Sequence, residues 1–144
     1  LEQLKHIGRS TGAKVVLSSD WRRRRPLKEK VQRALTRIGM EYVGCTSQRV
    51  RIERRGNWMV EQPCRPQEIT EWLRRHRAEA ASYPWVALDD RNLLSELGGR
   101  ELEGHFVQTY FSTGLTPTLA EQAITILSKA PTQGGLCAET VVDR

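Results

Sequence analysis

Two adjacent carboxylates, Asp89 and Asp90, close the short apolar run Trp85-Val86-Ala87-Leu88. The run reads as a buried strand that delivers both acids to the point where a parallel sheet opens into a loop. Open α/β sheets bind their ligands at the carboxyl ends of strands. A second run, Lys14-Val15-Val16-Leu17, ends in the same way in Ser18-Ser19-Asp20. Hydroxyls at one strand end and paired acids at another suggest a phosphate held near a divalent metal. Like charges in contact repel unless a cation offsets them, which favours metal binding by the pair. The plainer alternatives are Asp89 as a helix cap and Ser18-Ser19 as residues that turn the chain out of its strand.

Helix and strand must alternate to bring these ends together, and the apolar spacing is consistent with that. Leu1, Leu4 and Ile7 repeat at helical intervals up to Ser10-Thr11-Gly12, ahead of the strand Val15 to Leu17. Pro26 suits the first turn of a helix, with Leu27, Val31, Leu35 and Ile38 as its stripe and Gly39 as its stop. Met40 to Val43 reads as a short strand. Val50 to Val60 alternates around Arg54-Arg55-Gly56-Asn57, as a hairpin or an excursion from the core would. Pro66 opens another helix, with Ile69, Trp72 and Leu73 on its buried face. The strand Trp85 to Leu88, a strand at His105 to Thr109 and a helix after Pro117 carrying Leu119, Ala123, Ile126 and Leu127 complete the pattern. Such alternation predicts an α/β domain, a mainly parallel sheet between helical layers.

A length of 144 residues suits one domain. The net charge of +6 and a pI near 9.7 favour phosphorylated or polyanionic partners. Arginine dominates this charge, at Arg22 to Arg25 and again at Arg49, Arg51, Arg54 and Arg55. These runs read first as solvated faces, with a nucleic-acid surface as the alternative. Cys45, Cys64 and Cys137 show neither CxxC spacing nor an even count. They are therefore expected as free, mostly buried thiols in the cytoplasm or another reducing compartment. No apolar stretch is long enough to span a membrane, and no membrane partner is expected. Trp21, Trp58, Trp72 and Trp85 are expected in the core or an interface. His76 is expected to be exposed, and His105 without a recognisable partner. Thr116 reads as a helix cap.

Taken in order, VVLSSDWR, CRPQEITEWLRRH, WVALDDRNL and FVQTYFSTGLTPTLAEQAITIL resemble successive blocks of the haloacid dehalogenase (HAD) superfamily. The likeness, over roughly residues 1 to 128, is greatest to the small domains found in multidomain RNA-repair proteins. It implies a HAD-like three-layer sandwich and phosphohydrolase chemistry with Mg²⁺, in which an aspartate attacks phosphorus and water hydrolyses the aspartyl-phosphate. It implies that Ser18, with Ser19 as neighbour and rival, hydrogen-bonds the transferring phosphoryl group. Arg65 takes the place of the cation that neutralises the phosphate, and Asp89 and Asp90 that of the metal-binding acids.

One element of the resemblance is missing. The nucleophile block is a strand ending in Asp-x-Asp, and no two of Asp20, Asp89, Asp90 and Asp143 have that spacing. The resemblance puts that strand before Leu1 and at the centre of the sheet. The opening residues have no cap, and the chain is expected to be an inactive fragment, marginal in isolation, with two interior edges unpaired; the alternative is a protein that has lost its chemistry. The domain is expected over residues 1–130, with 131–144 as a tail or linker. The substrate is expected to be a phosphorylated small molecule or nucleic-acid end. The alternative from another class is a non-catalytic basic module that binds RNA or another polyanion, and a third is an interaction domain of a larger chain.

Overall fold

The computed structural model describes residues 1–76, 84–129 and 139–142, the last four by backbone alone. Four helices are present among them: α1 (Glu2–Thr11), α2 (Arg25–Arg37), α3 (Arg65–Arg75) and α4 (Pro117–Leu127). Seven strands follow the order β1 (Lys14–Leu17), β2 (Tyr42–Cys45), β3 (Arg51–Arg55), β4 (Trp58–Gln62), β5 (Val86–Asp89), β6 (Phe106–Gln108) and β7 (Glu139–Val142). Five of them form a parallel sheet in the order β2-β1-β7-β5-β6. The mixed α/β expectation holds.

The centre of the sheet differs from expectation. β7 lies between β1 and β5, pairing Leu17 with Val142 on one side and Val142 with Leu88 on the other. Within the stretch read as a tail, residues 139–142 therefore form the middle strand, and both interior edges are paired. Chain ends are usually loose unless a sheet ties them down, so composition around Pro131 and Gly134-Gly135 gave no sign of this strand. Cys137, Asp143 and the Pro131–Gly135 segment lie outside the described residues.

Strand alternation divides the core. Val86 and Leu88 point to the layer of α1 and α4, where Ile7, Leu119, Ala120, Ala123 and Leu127 cover them. Val16 and Ala87 point the other way, onto Ile69, Trp72 and Leu73 of α3. Val15 packs with Leu4, Leu35 and Met40 under α1 and α2. Gly12 ends α1 in a left-handed conformation, φ 69°, donating its N–H to the Gly8 carbonyl. Thr116 caps α4 by accepting from the Leu119 N–H at 3.4 Å. The Arg51–Gln62 segment is a true hairpin, β3 antiparallel to β4, and stands outside the main sheet.

Candidate active site

Side chains alternate across a strand, and this decides which candidates can meet. Val16 faces α3, so Ser18, two residues on, faces the same layer. Ala87 faces α3, so Asp89 does too, while Asp90 faces away. Leu17 and Leu88 flank Val142 in register, so Ser18 and Asp89 follow at the same carboxyl edge on either side of β7. Asp143 is next after Val142 in the sequence but lies outside the described residues.

Arg65 reaches this edge from the first turn of α3, which Pro66 helps to start. Its guanidinium is buried, with Nη1 2.8 Å from Asp89 Oδ2 and Nη2 3.4 Å from Asp20 Oδ1. Asp89 Oδ1 accepts the Arg91 N–H at 2.8 Å. Burial pushes the Asp89 carboxyl up to about 6, against the opposing pull of Arg65 and the Arg91 amide. Burial likewise lowers Arg65, and the neighbouring Asp89 only partly offsets it. A cation at a helix N-terminus meets the wrong end of the macrodipole. Glu96 eases that conflict, accepting the Arg65 N–H at 3.2 Å and pairing with Arg91. The loop that carries Glu96 closes tightly: a Cβ on Gly99 would lie 2.4 Å from the Leu94 carbonyl oxygen.

A second buried pair braces the serine end. Arg22 Nη1 donates to the carbonyls of Ser18 and Ser19, the latter at 2.7 Å, and Nη2 donates to Glu68 Oε2 at 2.5 Å. Glu68 also accepts the Arg49 N–H at 2.6 Å. The solvated-face reading of the arginine run fails at Arg22, which is 8% exposed, and describes Arg23, Arg24 and Arg25, which are exposed. A 3₁₀ turn over Asp20–Arg23 turns this one arginine inward.

The hydroxyls of Ser18, Ser19 and Thr46 are buried and have no hydrogen-bond partner among the described residues. Buried polar atoms are nearly always paired, so such a group at a sheet's carboxyl edge is a place where a ligand oxygen would be stabilising. A cleft of about 440 Å³ opens over Arg65, Asp20, Arg91 and Glu96. Ser18, Ser19 and Asp89 do not line it. Asp90 instead lines a separate cavity of about 480 Å³ with Trp21, Lys30 and Thr109. The structure thus joins Arg65 to Asp89, puts Ser18 on their face and edge, and turns Asp90 elsewhere.

Among the described residues no group of three or more His, Cys, Asp or Glu side chains could enclose a metal. Mg²⁺ commonly takes only one or two carboxylates and fills its remaining sites with water and phosphate oxygens. A buried carboxylate with raised proton affinity fits that role, because a cation relieves the cost of its charge.

Sequence reasoning missed Arg22, Glu68, Thr46, Arg91 and Glu96. Arg22 and Glu68 meet across 46 residues, a separation that leaves no local pattern. His76 is partly buried and stacked on Trp72 at 3.8 Å, and His105 is stacked on Trp85 at 4.4 Å with its Nδ1 3.0 Å from the Trp85 carbonyl. Both histidines have structural partners. Trp72 and Trp85 are in the core, whereas Trp58 is exposed. Cys45 and Cys64 are free thiols, Cys64 buried and its acidity reduced chiefly by that burial.

No curated protein and no solved structure matches the chain. A family model does match, over residues 1–120, which include α1, β1, β2, α3, β5 and β6 and stop short of β7. Its description is the HAD domain in Swiss Army Knife RNA repair proteins. HAD-family domains generally use Mg²⁺, and the family points to phosphohydrolase-type chemistry. With four-fifths of its length matched and the strand ends arranged as above, the chain belongs to this family of HAD domains.

Proposed function

We propose that Ser18, Arg65 and Asp89 form the phosphate- and metal-binding part of a Mg²⁺-dependent phosphohydrolase site. The observation that carries this is the buried Arg65–Asp89 pair at the carboxyl edge that also holds the unpartnered Ser18 hydroxyl. Ser18 donates its hydroxyl proton to a phosphoryl oxygen, with Ser19 as its alternative. Arg65 turns part of its charge from Asp89 and Asp20 to the phosphate, stabilising the charge that gathers in the transition state. Asp89 would hold Mg²⁺, with water and phosphate oxygens completing its shell, and the ion would supply charge neutralisation at the phosphate. Asp90, expected as the second acid, lines the other cavity.

The attacking group is a carboxylate outside the described residues. It bonds to phosphorus as the alcohol leaves, and water then cleaves the acyl phosphate to inorganic phosphate. The substrate is a phosphorylated small molecule or nucleic-acid end. The free thiols Cys45 and Cys64 suit a reducing intracellular compartment, and no described helix is long and apolar enough to cross a membrane.

The test is hydrolysis of an aryl phosphate, with and without a chelator, by this chain and by a chain in which a strand ending in Asp-x-Asp precedes residue 1 and takes the central place that β7 fills here. Chelator-sensitive turnover is expected only from the second. Robust turnover by the first would show that the attacking group lies within these residues. A non-catalytic reading is favoured by one observation, that Arg65 is already engaged by two carboxylates, and the net charge of +6 makes RNA or another polyanion its partner. It predicts no turnover from either protein and a steep salt dependence of RNA binding.

A further inference from the structure

We infer that the β3–β4 hairpin is an arm that holds the unpaired strand of a nucleic acid while its terminal phosphate occupies the Arg65 cleft. This rests on the phosphohydrolase reading, with which the cleft shares Arg65, the partner of Asp89, and it narrows the substrate and adds a surface. The hairpin stands outside the main sheet and leaves its large apolar side chains in solvent. Trp58 is 77% exposed, Met59 68% and Ile52 54%. Trp58 is on one face of the hairpin, with Val60, and Ile52 and Met59 are on the other, so the Trp58 face presents an exposed aromatic ring that a partner can cover.

Register and charge identify the occupant. Arg55 is directly opposite Trp58, and Arg51, opposite Gln62, is on the same face, so the Trp58 face has guanidinium groups beside its ring. Among the described residues Arg55 pairs with half-exposed Glu53, at 3.1 Å, a contact weak enough to exchange for a phosphate. Residues 49–62 contain four arginines against two glutamates. An aromatic face for bases beside cations for the backbone is the combination that single-strand binders use. A duplex hides its base faces and offers nothing to Trp58. The arm is also continuous with the site: Glu61 and Gln62 at the end of β4, with Pro63, line the same cleft as Arg65. A strand lying along the hairpin therefore leads its end toward the cleft.

The experiment is fluorescence anisotropy of this chain with short, labelled, 5′-phosphorylated oligonucleotides. Its arms are single-stranded RNA, single-stranded DNA, the corresponding blunt duplex and inorganic polyphosphate as competitor. Both single strands should bind more tightly than duplex, and polyphosphate should compete poorly. A preference between RNA and DNA identifies the natural source. Trp58→Ala should weaken single-strand binding about tenfold with no change in the unfolding transition, since the side chain is exposed. Arg51→Gln with Arg55→Gln should reduce the log–log salt slope by about 1.4.

Equal affinity for duplex, or unchanged affinity in Trp58→Ala, would overturn the inference. So would self-association in sedimentation equilibrium that Trp58→Ala abolishes, because the hairpin would then dock protein. The binding readout needs no hydrolysis. Trp58-dependent strand binding without any phosphatase activity keeps the arm and removes the phosphohydrolase, and phosphatase activity without such binding does the reverse.

Discussion

Arg65 and Asp89 form a buried ion pair, Nη1 to Oδ2 at 2.8 Å, that joins the start of α3 to the end of β5. Burying a charged pair costs more solvation than an average contact returns. Each partner here shows that cost, Asp89 moved up and Arg65 down by burial. A fold built only for stability would gain from apolar residues at both places. On the proposed reading, the two charges are kept ready for a phosphate and a cation.

The upward shift of the Asp89 carboxyl gives a pH dependence with a definite sign. A carboxyl raised from its ordinary 3.8 to about 6 binds more protons folded than unfolded between those values. Its stabilising contribution is thus full below about pH 4 and is lost as pH rises through about 6. Comparing denaturant unfolding of wild type and Asp89→Asn in chelator, the variant should gain roughly 2–3 kcal/mol relative to wild type from pH 4 to pH 7. A pH-independent difference would mean that Asp89 is not the titrating group.

Separation of the two acids makes their variants unequal. Asp89→Asn removes the carboxylate that touches Arg65, whereas Asp90 lines the other cavity. In a protein carrying the attacking strand, Asp89→Asn should lower Mg²⁺-dependent turnover at least about tenfold, a loss near 1.4 kcal/mol of transition-state stabilisation. Asp90→Asn, on the other face, should leave the Mg²⁺ requirement unchanged. Unchanged metal dependence in Asp89→Asn would remove that acid from the site.

The Arg22–Glu68 pair predicts a loss of stability without chemistry. Removing one member of a buried pair leaves the other charged and unpaired, at about 3–5 kcal/mol. Glu68→Gln should lower the urea midpoint accordingly, and Arg22→Met with Glu68→Leu should recover much of it. A single variant within about 0.5 kcal/mol of wild type would show that the pair is open to water in solution.

Much of this was legible before the structure, and the remainder divides along physical lines. Local signals worked: Pro26 and Pro66 start helices, Gly56-Asn57 turns a hairpin, and the apolar runs at Val15 and Val86 are strands. The edge positions of Ser18 and Asp89 also follow from period-two alternation. What depends on distant partners was not legible. Arg22 looked like one member of a charge run until Glu68 of α3 met it. Two adjacent acids looked like one site, although alternation sends neighbours to opposite faces of a sheet. β7 had no sequence signal strong enough to place four residues at the centre of the sheet.

That strand carries its own prediction. β7 pairs four residues with β1 and three with β5, and ladder hydrogen bonds contribute about 0.5–1.5 kcal/mol each. Ending the chain before residue 139 should abolish the cooperative unfolding transition and expose two edges that invite aggregation, seen by calorimetry and light scattering. A soluble, cooperatively folding truncation would show that the sheet does not need β7.

Calorimetric titration of inorganic phosphate into the chain, with and without Mg²⁺, tests the central claim most directly. Phosphate should bind more tightly with Mg²⁺. The Mg²⁺ enhancement should vanish in Asp89→Asn, and Ser18→Ala should weaken phosphate binding about five- to tenfold by removing one hydrogen bond to a charged group. Phosphate binding that ignores Mg²⁺ and is unchanged by both substitutions would contradict the account.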